Sequence, residues 1–103
     1  MEKPSHAFAI NLDIVQQRNF IKYFNALPEK PSSTVRLFKR TDFYCLHGQD
    51  ALLAADFALK IIKYMGDDPV LSYDCLDKHE MKSFVRDLLL VPQYRVEKKQ
   101  WKG

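Results

Sequence analysis

Cys45-x-His47 and Cys75-x-x-x-His79 bring together two thiols and two imidazoles, a donor set that zinc accepts. Neither spacing is that of a zinc knuckle or ribbon, and Cys45 and His47 fall inside an expected strand. A buried thiol beside a partly exposed imidazole is the simpler reading, with no metal and no cofactor. The carboxylates, outside one helix cap, show no pairing from which general acid–base catalysis could be built. With 3 glycines in the chain, no G-x-x-x-x-G-K-[ST] phosphate loop is present, so neither ATP hydrolysis nor any other enzymatic activity is expected of these residues. Basic side chains offer the remaining chemistry. Lys39 and Arg40 sit where a turn can present them to phosphates, with Lys30 and Arg36 nearby in sequence. Against each stands the ordinary reading of an exposed, solvated cation.

The elements that would position these groups alternate in type. Phe20, Ile21, Phe24 and Leu27 recur at helical spacing, which predicts a helix over 13–26 that Pro28 stops. After the rigid polar stretch 28–33, Thr34 to Phe38 and Phe43 to His47 read as the arms of a hairpin whose turn is Lys39-Arg40-Thr41-Asp42. A helix is expected from Gln49 to Leu59, with Leu52, Leu53, Ala55 and Phe57 as its apolar stripe. Strands follow at Ile61–Met65 and Val70–Cys75, joined by Gly66-Asp67-Asp68-Pro69. Asp77 and Glu80 form a D-x-x-E capping box that opens a helix closed by Pro92. Within that helix Met81, Phe84, Val85, Leu88 and Leu89 mark one apolar face. Tyr94 to Glu97 begins a last strand for which the sequence offers no partner.

At 103 residues, 47% hydrophobic and 28% charged, the chain is long enough for one core and too short for two. The expected organisation is a flexible arm over 1–12, one domain over 13–97 and a basic tail over 98–103. The fold class is α/β (α+β): a mixed sheet flanked by helices. A net charge of +3 permits a polyanionic partner without demanding one. No apolar run approaches the roughly 20 residues that cross a membrane, and no apolar leader follows the N-terminus, so no membrane partner is expected. Two cysteines are too few for a disulfide framework and suit a reducing compartment.

Eight strings occur in order: Leu27-Pro-Glu-Lys-Pro, Thr34-Val-Arg-Leu-Phe, Asp42-Phe-Tyr, His47-Gly, Asp50-Ala-Leu-Leu-Ala-Ala, Ile62-Lys-Tyr-Met-Gly, Ser83-Phe-Val-Arg-Asp-Leu-Leu-Leu-Val and Gln93-Tyr-Arg-Val-Glu. Together, from about Asn19 to Glu97, they resemble the N-terminal lobe, domain I, of the MutS family of mismatch-repair proteins. Within that family they are most similar to the eukaryotic homologue-two branch, the subunit shared by the mismatch-recognition heterodimers. The resemblance implies a mixed α/β lobe that meets DNA at mispairs or small loops, in the nucleus, beside another MutS homologue. The connector, lever, clamp and ATPase of the family lie outside these residues. It also implies that the sheet lacks a returning last strand, which would leave an open edge.

The family's reader is a Phe-x-Glu motif, and the stretch that matches it here is Phe43-Tyr44-Cys45. Phe43 and Cys45 project to one face of a strand, so the geometry of the motif is kept. A ring wedged between bases recovers part of the cost of unstacking, about 1–3 kcal/mol per base. A cysteine, however, cannot replace the charged acceptor. The resemblance therefore implies a supporting role, with contacts mainly to the backbone. Phe43, Lys39 and Arg40 lead the candidate DNA-contacting set, which Tyr44, Cys45, Lys30 and Arg36 complete. Phe43 reads equally as a core aromatic, and Tyr44, on the other face beside Leu46, reads first as core. The rival reading is an interaction module, docking through the helix 78–91 or the last strand, or a lobe too marginal to act alone.

Overall fold

The computed structural model describes residues 9–58, 61–90 and 93–101. In chain order these form α1 (Ile14–Ala26), β1 (Thr34–Lys39), β2 (Phe43–His47), α2 (Gln49–Ala58), β3 (Lys63–Met65), β4 (Leu71–Asp77), α3 (Lys78–Leu89) and β5 (Arg95–Lys99). The strands make one sheet in the order β3-β4-β2-β1-β5. β1 and β5 run parallel, and the other neighbours run antiparallel, so the sheet is mixed as expected.

The sheet is buried on both faces. On one, Phe20 and Ile21 of α1 pack with Phe38, Cys45, Met65, Tyr73 and Cys75. On the other, α2 contributes Ala51 and Ala54, and α3 contributes Met81, Phe84 and Leu88, against Val35, Leu37, Tyr44, Leu46 and Leu76. Period-two alternation sends each strand's side chains to opposite layers, and both layers are apolar. That is why Tyr44-Cys45-Leu46 reads as an unbroken apolar run.

Local rules start the helices. Asp77 accepts from the Glu80 amide (2.7 Å) while Glu80 accepts from the Asp77 amide (2.9 Å), the reciprocal box expected from the sequence. α1 opens the same way, with Asp13 and Gln16 exchanging bonds of 2.8 and 3.1 Å. Gly48, at φ 63°, turns the chain between β2 and α2, and its carbonyl accepts the first amides of the helix, from Ala51 and Leu52. Asp50 in that first turn is 7% exposed and accepts from the Arg36 amide at 3.0 Å. The β1–β2 ladder reaches only Phe38↔Cys45, so this carboxylate takes a main-chain donor that the ladder leaves over.

Three expectations are corrected. The buried stripe of α2 is Ala51 and Ala54, both fully buried, whereas Leu52 is 59% exposed. Small residues let the helix lie close to the sheet, and Leu52 falls on the solvent side. β5 has a partner, β1, in a parallel register running from Thr34↔Arg95 to Phe38↔Lys99. Parallel pairing across some 60 residues leaves no local mark in a sequence. Finally, Ile10 and Leu12 belong to the core margin on the α1 face rather than to a loose arm. The expected helix end at Leu59, the stop at Pro92, the first eight residues and Lys102–Gly103 lie outside the described residues.

In α3, Leu88 is 6% exposed and its neighbour Leu89 is 61% exposed, although the apolar spacing gave both to the core. Leu88→Ala should cost about 2–5 kcal/mol through lost burial and cavity formation, and Leu89→Ala about 0.5 kcal/mol or less. Urea denaturation of the two variants checks this; equal losses would refute the orientation of α3.

Candidate nucleic-acid interface

One end of the sheet gathers the β1–β2 turn and the C-terminal end of β5. Lys39 and Phe43 flank the turn, which closes through a 2.8 Å bond from the Arg40 amide to the Phe43 carbonyl. The parallel register sets Lys98 opposite Leu37 and Lys99 opposite Phe38, so β5 delivers its lysines to the same end. Lys39, Thr41, Asp42 and Lys98 are exposed, and Arg40 and Phe43 are half-buried.

Tyr44 organises the cations on one side of this end. The Lys39 ammonium lies 5.5 Å from the centroid of its ring and the Lys98 ammonium 6.0 Å from the same centroid. The ring itself is 8% exposed, so it acts as a fixed support for both. Neither lysine is ion-paired among the described residues. Two like charges held at one ring raise the local positive potential, which a polyanion would relieve.

Arg40 stands on the other side of the sheet. Its guanidinium lies 5.0 Å from the Phe20 ring and 5.9 Å from the Trp101 ring, and its Nε donates to Cys45 Sγ at 3.3 Å. Its Nη2 is buried without a hydrogen-bond partner among the described residues. Arg40, Lys39 and Phe43 line a cleft of about 540 Å³ whose far walls are Ile10, Gln100 and Trp101.

The remaining candidates turn inward. Arg36 donates to Glu97 (2.5 Å) and to the Pro28 carbonyl (2.7 Å), and this guanidinium holds the Glu97 carboxyl below the usual carboxylate range. Lys30 is ion-paired with Asp50 at 3.1 Å and bonds to the Thr34 carbonyl. Cys45 is fully buried. Lys39, Arg40 and Phe43 are therefore brought together above Tyr44, while Lys30, Arg36 and Cys45 serve contacts inside the fold. Sequence reasoning missed Lys98 and Trp101, taken as part of a tail. The only local signal was alternation: Val96 and Lys98 share a face two residues apart.

Beneath the hairpin, Cys45 Sγ and His47 Nε2 share a 3.1 Å hydrogen bond in the interior. Burial pushes the Cys45 thiol up to about 11 and the Cys75 thiol to about 12, so both are inert as nucleophiles at neutral pH. Burial, aided by the Arg40 charge, pulls His47 down to about 3. Cys75 stands opposite Cys45 in register, while His79 is exposed on α3. No group of three or more His, Cys, Asp or Glu among the described residues could hold a metal ion. No helix among them is long and apolar enough to cross a membrane.

Comparison with known proteins agrees with this architecture. The family model described as MutS domain I matches residues 18–100. The chain is 41% identical over 95 residues to DNA mismatch repair protein spellchecker 1 of Drosophila melanogaster, covering 85% of this chain and 10% of that protein. It is 31% identical over 103 residues to DNA mismatch repair protein MSH2 of Saccharomyces cerevisiae, covering 87% of this chain and 11% of that one. With MSH2 of Zea mays it shares 33% over 84 residues, covering 77% and 9%. The chain thus spans about a tenth of the length of these relatives.

The neutral, buried His47 makes stability depend on pH. Below about pH 6.5 the unfolded chain takes up a proton on this ring, and the folded chain does not until about pH 3. The ring's contribution is therefore intact above pH 6.5 and falls as the pH drops towards 3, by up to about 1.4 kcal/mol per unit. Denaturation at pH 7 and pH 5 should differ by about 2 kcal/mol, and His47→Gln should abolish most of that difference. A difference that persists in the variant would assign it to other groups.

Proposed function

The chain belongs to the MutS domain I family, and on that premise we propose that it is a non-catalytic, DNA-facing lobe of a mismatch-repair protein. It contacts duplex DNA at mispairs or small loops, mainly through the backbone, in the nucleus and alongside a second MutS homologue. The observation that carries this reading is the pair of ammoniums, Lys39 and Lys98, held at the Tyr44 ring beside Phe43. Cations fixed on a rigid support lose little side-chain freedom when a phosphate arrives, and a half-buried ring next to them can meet a base step. Arg40 supplies a third charge from the opposite side of the same turn. The proposed contacts are therefore Lys39, Arg40, Phe43 and Lys98. Tyr44 supports them from beneath, and Cys45, Lys30 and Arg36 shape the hairpin from within.

A second reading has one observation of its own. Leu89 and Leu90 are 61% and 76% exposed at the end of α3, a surface that suits docking to another protein. Salt separates the two. Phosphate contacts weaken with added salt at a slope of about 0.9 per phosphate, whereas apolar docking is nearly indifferent.

Fluorescence anisotropy with a labelled duplex carrying a small loop, repeated over a range of salt, tests the reading. Affinity should fall steeply with salt, and Lys39→Gln should reduce the slope by about 1 and weaken looped and paired duplexes alike. Affinity that ignores salt, or no binding at all by the folded chain, would overturn the proposal. Phe43→Ala should weaken the looped duplex about five- to a hundredfold and leave the melting temperature close to that of the parent. Unchanged affinity would remove Phe43 from the interface.

A further inference from the structure

Two clefts of similar size flank the sheet, and their charges differ. The cleft lined by Phe24, Lys30 and Asp50, about 530 Å³, has its cation neutralised, because Lys30 is ion-paired with Asp50 at 3.1 Å. The cleft beside the hairpin, about 540 Å³, has no such neutralisation. Lys39 at its rim is unpaired among the described residues, and Arg40 presents a buried Nη2 with no hydrogen-bond partner among them. A buried donor left unsatisfied costs free energy that a suitable acceptor would recover. The rest of the lining is apolar and aromatic: Ile10, Phe43 and Trp101, with the Gln100 amide between them.

Few ligands match a cavity that is half aromatic and half cationic. An inorganic anion would leave the aromatic wall unused, and an apolar ligand would leave the guanidinium unsatisfied. A nucleotide offers a flat ring for the aromatic wall, amide-compatible edges for Gln100 and a phosphate for the two cations. The volume falls in the range of pockets that enclose small ligands, roughly 300–1,000 Å³. The position supplies the source. Phe43 is both the candidate wedge and a wall of the cleft, so a base pushed out of a stack by Phe43 emerges at the cleft mouth.

We infer that the cleft between the β1–β2 turn, Ile10 and Trp101 receives one extrahelical nucleotide of a looped duplex, its base against Trp101 and its phosphate on Lys39 and Arg40. The inference rests on the DNA-facing reading above and extends it from backbone contact to capture of a displaced base. Trp101, whose edge packs on Phe20 at 5.2 Å, is held as a rigid platform rather than as a mobile end.

The chain's single tryptophan makes the test direct, because its emission reports on this cleft alone. The full chain is titrated with a short duplex carrying one unpaired adenine, with the same duplex fully paired, and with deoxyadenosine monophosphate. Binding is read separately by anisotropy of a dye at the far DNA end. The expected result is quenching of Trp101 by the unpaired-adenine duplex, which binds about five- to a hundredfold tighter than the paired one. The paired duplex binds without quenching, and the free nucleotide quenches only weakly. Gln100→Glu, an exposed position, should abolish the quenching and the preference without lowering the melting temperature. Equal binding of both duplexes with Trp101 unquenched would overturn the cleft and leave backbone contact standing, as would a preference without quenching. Failure of both duplexes to bind would overturn the DNA-facing reading and the cleft with it. Quenching by the free nucleotide alone would assign the cleft to a small-molecule ligand and likewise overturn the inference.

Discussion

Phe20 is the side chain on which the functional end of this domain depends. It is fully buried and touches rings from five directions: Tyr23 and Phe24 of its own helix, Phe38 and His47 of the sheet, and Trp101 beyond β5. The Arg40 guanidinium lies 5.0 Å from the same ring. One aromatic therefore fixes α1 to the sheet, brings the segment after β5 back over the domain and holds a cation at the turn. Ring pairs at 4.7–6.3 Å with tilted or edge-on planes fall in the favourable range, each contributing about 0.5–1.5 kcal/mol beyond burial. The cleft beside the hairpin is a consequence of this cluster, since Arg40 and Trp101 both form its wall and both lean on Phe20.

Charge is divided by the same architecture. Arg36 and Lys30 sit on or just before β1, yet their partners come from elements far along the chain, Glu97 of β5 and Asp50 of α2. These cations are nearly enclosed, and removing either partner would strand a charge in a poorly solvated place. Lys39 and Lys98 meet no carboxylate, and Asp77 and Glu80, on the neighbouring strand end and helix, are occupied by the cap they form with each other. A net charge of +3 is thus a poor guide to the surface. Positive charge is used internally along most of β1 and is left open at its end.

How far the sequence discloses this follows the range of each interaction. The hairpin, the capping box at Asp77, the helix of Phe20 and the mixed sheet flanked by helices are written in spacings of two to four residues, and each appears close to where those spacings place it. The D-x-x-Q box at Asp13 was equally legible and announces the start of α1. What could not be read is what depends on contacts between distant segments. The α2 stripe was misassigned because Leu outweighs Ala in any hydropathy pattern, although here the small Ala51 and Ala54 face the sheet. The pairing of β5 with β1, the burial of Arg36 and Lys30, and the return of Trp101 over Phe20 all join segments some 14 to 81 positions apart. No periodicity encodes such pairings. The site suffered most from this, because half of the hairpin's chemistry is delivered by β5 and the residues after it.

The burial of Cys45 bears on what the hairpin can do to a base. In the Phe-x-Glu pattern that the hairpin resembles, the third position supplies an acceptor towards the base edge. Here that position is occupied by a thiol with no exposure, bonded to His47 and accepting from Arg40. A carboxylate placed there would be enclosed beside a half-buried guanidinium, and its charge would be consumed by Arg40 rather than offered to a base. Discrimination between base edges therefore has no polar group at that position through which to act. What remains near Phe43 is shape and charge: a ring, unpaired cations and a cleft with an unsatisfied donor. Such a set favours any duplex whose bases leave the stack easily, because the energy it can recover comes from stacking and phosphate contact, which every base provides.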